Sequence, residues 1–170
     1  KRHPLRVRSL VGLAPLFAAE IIEDDVIDRL PGFRKRLQWF LDNRKDLASS
    51  ISYMETMGEE AHGHHLLAIP SRERLDHVLR YLLDEKEFLS PYGIRSLSRY
   101  HEKNPFVLKV GDTEHRVAYE PGESASRLFG GNSNWRGPVW LPMNYLLLES
   151  LSRWYHVYGD AIQVECPTGS

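Results

Sequence analysis

The feature that most constrains this sequence is an abrupt change of character at residue 138. Residues 130–145 read G-G-N-S-N-W-R-G-P-V-W-L-P-M-N-Y. Two glycines and three small polar residues open a loop that can take tight turns and positive φ. Trp135 and Arg136 stand just ahead of Gly137 and Pro138, and the first turn of a helix tolerates proline well. From Val139 the spacing is helical as far as Gly159, a suitable stop. The stripe of that helix is Leu147, Leu148, Leu151, Trp154, Tyr155 and Tyr158. A guanidinium, two indoles and amide side chains, Asn132 among them, are thus placed at a loop-to-helix junction. Two readings of Trp135 and Trp140 stand. As stacking surfaces beside a fork-shaped donor they suit a ligand with apolar faces and hydroxyl edges, which describes a sugar. As core anchors they are buried, with Arg136 clamped to a carbonyl or to Glu120 or Glu123.

The rest of the chain reads as mainly helical. Leu5, Leu10, Leu13, Leu16 and Phe17 approximate a helical stripe that Ala18, Ala19, Ile21 and Ile22 extend, with Pro15 kinking it near Ala14. Glu23, Asp24 and Asp25 supply acids before a further stretch. After Pro31, Phe33, Leu37, Phe40 and Leu41 recur at helical spacing, with Arg34, Lys35, Arg36 and Arg44 mostly off that face. Leu75, Val78, Leu79, Leu82 and Leu83 follow the helical template without a miss, Ser71 being the N-cap and the helix running to about Glu87. Residues 106–110 and 115–119 are β-rich around Gly111, Asp112, Thr113 and Glu114, which reads as a short hairpin. Residues 43–69 read as irregular. His62, His64 and His65 with Glu59 and Glu60 invite a metal, but H-x-H-H is not a strong zinc spacing, and no metal is expected.

The 130–145 block resembles the signature of glycoside hydrolase family 63, which includes processing α-glucosidases and, nearby, hydrolases of mannosylglycerate and glucosylglycerate. Two further blocks resemble the family in the same order. One is Ser90-Pro91-Tyr92-Gly93-Ile94-Arg95-Ser96-Leu97-Ser98. The other is Val7-Arg8-Ser9-Leu10-Val11-Gly12-Leu13. The resemblance implies an (α/α)6 toroid, a ring of helical hairpins with the sugar site at one end, and inversion at the anomeric carbon. Residues 1–170 are then expected to be a single fragment of that catalytic domain, with the hairpin as an insertion and apolar faces left for the remainder of the domain to cover.

The same resemblance implies that Tyr92, Arg95, Asn132, Trp135, Arg136, Gly137 and Trp140 bind substrate. Trp135 and Arg136 are expected to face the same cavity as Tyr92 and Arg95. An inverting hydrolase needs a general acid and a general base about 6.5–9.5 Å apart. The resemblance places both outside these residues. Glu120 and Glu123 are the best-placed carboxylates within them. The substrate is expected to be a glucosyl or mannosyl conjugate. The alternative is a non-enzymatic helical module for carbohydrate or protein binding on the same scaffold. The flanking reading frame discriminates the two, by continuing into carboxylate loops or stopping.

Composition excludes some other classes. The 170 residues suffice for one domain with a core. The formal net charge of −1 suggests no nucleic-acid partner. Cys166 stands alone, which excludes an internal disulfide and fits a cytoplasmic setting. No apolar run approaches the roughly 18 residues of a membrane span, and no membrane association or cofactor is expected. The G-G-N-S-N-W loop lacks the lysine of a P-loop, and no G-x-S-x-G occurs.

Overall fold

The computed structural model describes residues 4–48, 53–56, 64–122 and 133–169. They divide into two compact units. One comprises Lys1–Leu13, Val78–Tyr145 and Val164–Ser170, the other Ala14–His77 and Leu146–Gln163.

The second unit is built on a sheet. Strands β1 (Ala19–Glu23), β2 (Tyr53–Thr56) and β3 (His64–Ala68) lie antiparallel in the order β1-β3-β2. The β1–β3 register runs from Ala19 opposite Ala68 to Glu23 opposite His64. Helices α1 (Asp24–Arg29), α2 (Pro31–Asn43) and α3 (Lys45–Ala48) follow β1. Asp24 and Asp25 sit in the first turn of α1, where acids complement the helix dipole. Pro31 opens α2 at the one place a helix does not need its N–H. Leu16, Ala19, Leu66, Ala68 and Leu75 form the core with Leu147 and Trp154. The Trp154 indole donates to the Leu16 carbonyl at 3.3 Å and stacks on Tyr158 at 5.9 Å.

The first unit is held by short extended segments. Strands β4 (Leu89–Ser90) and β5 (Gly93–Ile94) form a minimal hairpin. Strands β6 (Phe106–Val110) and β7 (Thr113–Val117) form a longer one, with Val110 opposite Thr113. Only Gly111 and Asp112 lie in the latter turn, Gly111 at φ 60°. The turn is therefore two residues tighter than the sequence suggests. Helix α4 (Arg72–Leu82) is divided between the units after His77, and helix α5 (Leu141–Tyr158) after Tyr145. Ser71 caps α4, its hydroxyl accepting from the Arg74 N–H at 3.3 Å.

Three antiparallel sheets among the described residues overturn the expectation of a mainly α chain forming part of an (α/α)6 toroid with one hairpin. The physical reason lies in pairing partners far away in sequence. Leu10–Phe17 winds as a 3-10 helix, and the stripe does not continue. Its extension, with Ile21 and Ile22, pairs with β3, a stretch that reads alone as loop. β-Branched residues accept either state, and a cross-strand partner decides which. Two of the five α-helices among the described residues, α1 and α3, are also only 6 and 4 residues long, far from the long antiparallel pairs of a helical ring.

Candidate active-site region

The region is built on residues 93–98 and 135–144, both in the first unit. Two backbone segments approach residues 95–98. Leu10 N–H donates to the Ser96 carbonyl at 2.9 Å and Ser98 N–H to the Arg8 carbonyl at 3.0 Å. Ser96 N–H donates to the Pro138 carbonyl at 3.1 Å, and Arg95 pairs with Val139 in an antiparallel bridge. Residues 136–138 bend and Val139 forms the bridge, so this segment is not helical. Helix α5 begins at Leu141, so Pro142, and not Pro138, occupies its first turn.

Side chains lock this join. The Asn144 carboxamide meets both ends of one residue's backbone, accepting from Ile94 N–H at 2.7 Å and donating to the Ile94 carbonyl at 2.9 Å. Gly137 N–H donates to Ser96 Oγ at 2.9 Å. Gly137 has φ 142°, and a Cβ there would stand 2.6 Å from the Tyr119 ring. Only glycine allows the loop this close to Tyr119.

The two arginines are held inside the frame. Arg95 is 8% exposed; its Nε donates to Tyr119 Oη at 3.1 Å and its Nη1 to the carbonyls of Glu85 and Leu89. Arg136 is 1% exposed and donates to the Glu120 carboxylate at 2.7 Å. Glu120 N–H in turn donates to the Arg136 carbonyl at 2.6 Å.

The aromatic residues are placed differently. Trp135 and Trp140 are both half-buried, their rings edge to face at 4.6 Å and 79°. Trp135 borders an apolar groove of about 520 Å³ with Leu5, Val7, Val11, Phe106 and Val117. Tyr92, 87% exposed, stands at the tip of the β4–β5 hairpin. The tip is braced by Ser90 Oγ, which donates to the Gly93 carbonyl at 2.7 Å and accepts from Tyr92 N–H at 3.3 Å. Neither Tyr92 nor Arg95 nor Arg136 lines the groove beside Trp135. The fold thus joins the backbones of the two blocks, while their four expected contact side chains do not share that cavity. Asn132 and Glu123 lie outside the described residues, as do Glu59, Glu60 and His62.

Ser96, Tyr119 and Asn144 carry much of the frame, and sequence reasoning passed over their roles. Each is a common polar residue whose partner is 24 to 50 residues away. A second buried polar cluster adjoins the frame. Glu87 bonds both Arg8 and Ser98, and His101, 2% exposed, accepts the Arg8 backbone N–H at 2.9 Å on Nε2. That bond fixes the ring as the Nδ1–H tautomer, in register with the Asn104 carbonyl 2.9 Å away.

A family model described as the glycosyl hydrolase family 63 C-terminal domain matches residues 64–165, a span that contains every bond between residues 93–98 and 135–144. The chain belongs to glycosyl hydrolase family 63. The chain is 50% identical over 167 residues to an uncharacterised protein of Saccharomyces cerevisiae, covering 98% of this chain and 15% of that protein. It is 38% identical over 82 residues to a probable mannosyl-oligosaccharide glucosidase of Schizosaccharomyces pombe, covering 48% of this chain and 7% of that protein. The chain thus spans a small part of the length of these relatives. No solved structure matches it. No helix among the described residues is long and apolar enough to cross a membrane.

Proposed function

We propose that residues 1–170 are one segment of the catalytic domain of an inverting α-glycosidase and supply part of its sugar-binding wall. The substrate is a glucosyl or mannosyl conjugate. The observation that carries this reading is the half-buried pair Trp135 and Trp140, set edge to face at 4.6 Å. An indole offers a flat apolar surface to the C–H face of a pyranose, and edge-to-face support fixes its tilt. Family membership and the resemblance to a probable glucosidase support the same chemistry.

The roles divide. Trp135 and Trp140 contact the ring, and Tyr92 presents its phenol at an exposed edge. Arg95, Arg136 and Gly137 act by holding the loop in shape, and Asn132 offers the substrate a carboxamide. Inversion needs an acid on the leaving oxygen and a base on water across the ring, about 6.5–9.5 Å apart. The Glu120 carboxylate is engaged by Arg136, so it serves the frame. The acid and base come from parts of the enzyme beyond these residues.

The test uses the intact enzyme. Trp135→Ala lowers kcat/KM for the α-glucoside or α-mannoside at least about tenfold, a loss of about 1.4 kcal/mol in transition-state binding. Trp135→Phe recovers part of it, and the thermal midpoint of both variants stays near that of the parent. A fall in midpoint that accounts for the whole loss assigns Trp135 to packing and ends the reading.

A further inference from the structure

Helix α2 carries a tryptophan on the wrong side of its own apolar stripe. At 3.6 residues per turn, Phe33, Leu37, Phe40 and Leu41 share one face, and Trp39 projects roughly 150° from its centre. Leu37, Phe40 and Leu41 are accordingly half-buried. Trp39 is 59% exposed. An indole is among the costlier side chains to leave in water.

Its neighbours are polar and of mixed sign. Trp39 borders an open depression of about 620 Å³ with Arg34, Lys35, Gln38, Asp42 and Asn43. Several of these are already oriented. Gln38 Nε2 donates to Asp42 Oδ1 at 3.1 Å, Asn43 Nδ2 to the Trp39 carbonyl at 2.8 Å, and Arg34 Nη1 to Asp28 at 2.9 Å. A single flat apolar ring is thus framed by two carboxamides, a carboxylate and two cations on one helix face.

We propose that this face binds an oligosaccharide, with Trp39 stacking on one pyranose and Lys35, Gln38, Asp42 and Asn43 bonding its hydroxyls. The chemistry selects this occupant over others. A protein hot spot sets its aromatic anchor in a desolvated apolar cluster, and here one ring is surrounded by amides and charges. An anionic lipid surface asks for a basic face with several apolar residues, and Asp42 with a lone indole does not supply it. A pyranose has one apolar face and a rim of hydroxyls that both donate and accept, and carboxamide and carboxylate groups match that rim. The face lies in the unit that does not hold Trp135, so it stands or falls separately from the sugar-binding reading of the family motif.

The probes are maltotetraose and an α-linked mannotetraose, titrated to millimolar concentration into the intact enzyme carrying 5-fluorotryptophan. Trp39→Phe identifies the Trp39 fluorine signal by its loss. One of the two sugars moves the Trp39 signal saturably. Gln38→Ala weakens that binding at least about threefold, and Asp42→Asn, which keeps the hydrogen-bonding edge, weakens it less. A Trp39 signal that stays in place with both sugars overturns the proposal. So does one that shifts with protein concentration alone, since the occupant is then a second copy of the chain.

Discussion

Arg136 and Glu120 hold each other twice, guanidinium to carboxylate at 2.7 Å and Glu120 N–H to Arg136 carbonyl at 2.6 Å. The side-chain bond is charge-assisted and nearly dry at the arginine end, with Arg136 side-chain exposure at 1% and Glu120 at 26%. The backbone bond fixes residue 120 beside residue 136 whatever the side chains do. Glu120→Ala therefore leaves a buried cation without this carboxylate. Loss of one partner of such a pair costs about 3–5 kcal/mol, and urea unfolding should register a drop of that order, tempered by the partial exposure of Glu120. Glu120→Gln keeps an acceptor and should lose less. Equal midpoints for Glu120→Ala and the parent would show that the pair contributes nothing.

Gly137 should tolerate no side chain. Its φ of 142° is strained for any L-residue, and a Cβ would sit 2.6 Å from the Tyr119 ring. Gly137→Ala should destabilise by at least about 1–3 kcal/mol from backbone strain alone. Adding Tyr119→Ala should relieve the clash but not the strain. Gly111, at φ 60° with no atom within 4 Å of a Cβ, is the control: Gly111→Ala should cost only about 1 kcal/mol. A Gly137→Ala protein as stable as Gly111→Ala would contradict the close approach.

Asn144 should be hard to replace even by its acid. Its Nδ2 donates to the carbonyls of Ile94 and Trp140, and its Oδ1 accepts from Ile94 N–H. Asn144→Asp keeps the acceptor and sets a negative charge against two carbonyls. It should therefore destabilise more than Asn144→Ala, for which about 1–3 kcal/mol is expected. Hydrogen exchange at the Ile94 amide is the direct readout and should quicken in both variants.

The 170-residue chain by itself should show no glycosidase turnover. General acid and general base each contribute typically about 10²–10⁴-fold, and the carboxylate of Glu120 is bound to Arg136. Hydrolysis of an α-glucoside by this chain, abolished in Glu123→Gln, would move catalysis into it.

Some elements are legible because neighbours in sequence decide them. Helix α4 needs only its five stripe residues and Ser71, whose hydroxyl lies three residues from the N–H it caps. The β6–β7 hairpin needs two β-rich runs and a glycine that accepts φ 60°. Family membership was legible for a different reason, since a long run such as W-R-G-P-V-W-L-P-M-N-Y is chemically unusual. The site was less legible. Trp135 and Trp140 read equally as platform or core, and Arg136 equally as sugar ligand or clamp, because residue type leaves open whether a carboxylate 16 residues away reaches the guanidinium.

By itself the sequence determined that α4 and the 106–117 hairpin exist, and the family; it ran α4 on to about Glu87 instead of Leu82, gave the hairpin turn four residues instead of two, and began α5 at Val139 instead of Leu141. The helix, the hairpin and the family each rest on local spacing or on a run of residue types. Tertiary structure alone decided that Ile21 and Ile22 lie in a strand, that residues 136–138 bend to bring Val139 into a bridge with Arg95, and that Arg95 and Arg136 are enclosed. In each case the deciding partner lies far along the chain: Leu66 and His65 for the isoleucines, Ser96 for Gly137, Tyr119 for Arg95. A buried N–H, carbonyl or guanidinium takes whichever partner the fold brings within about 3 Å, and no local pattern announces which one that is.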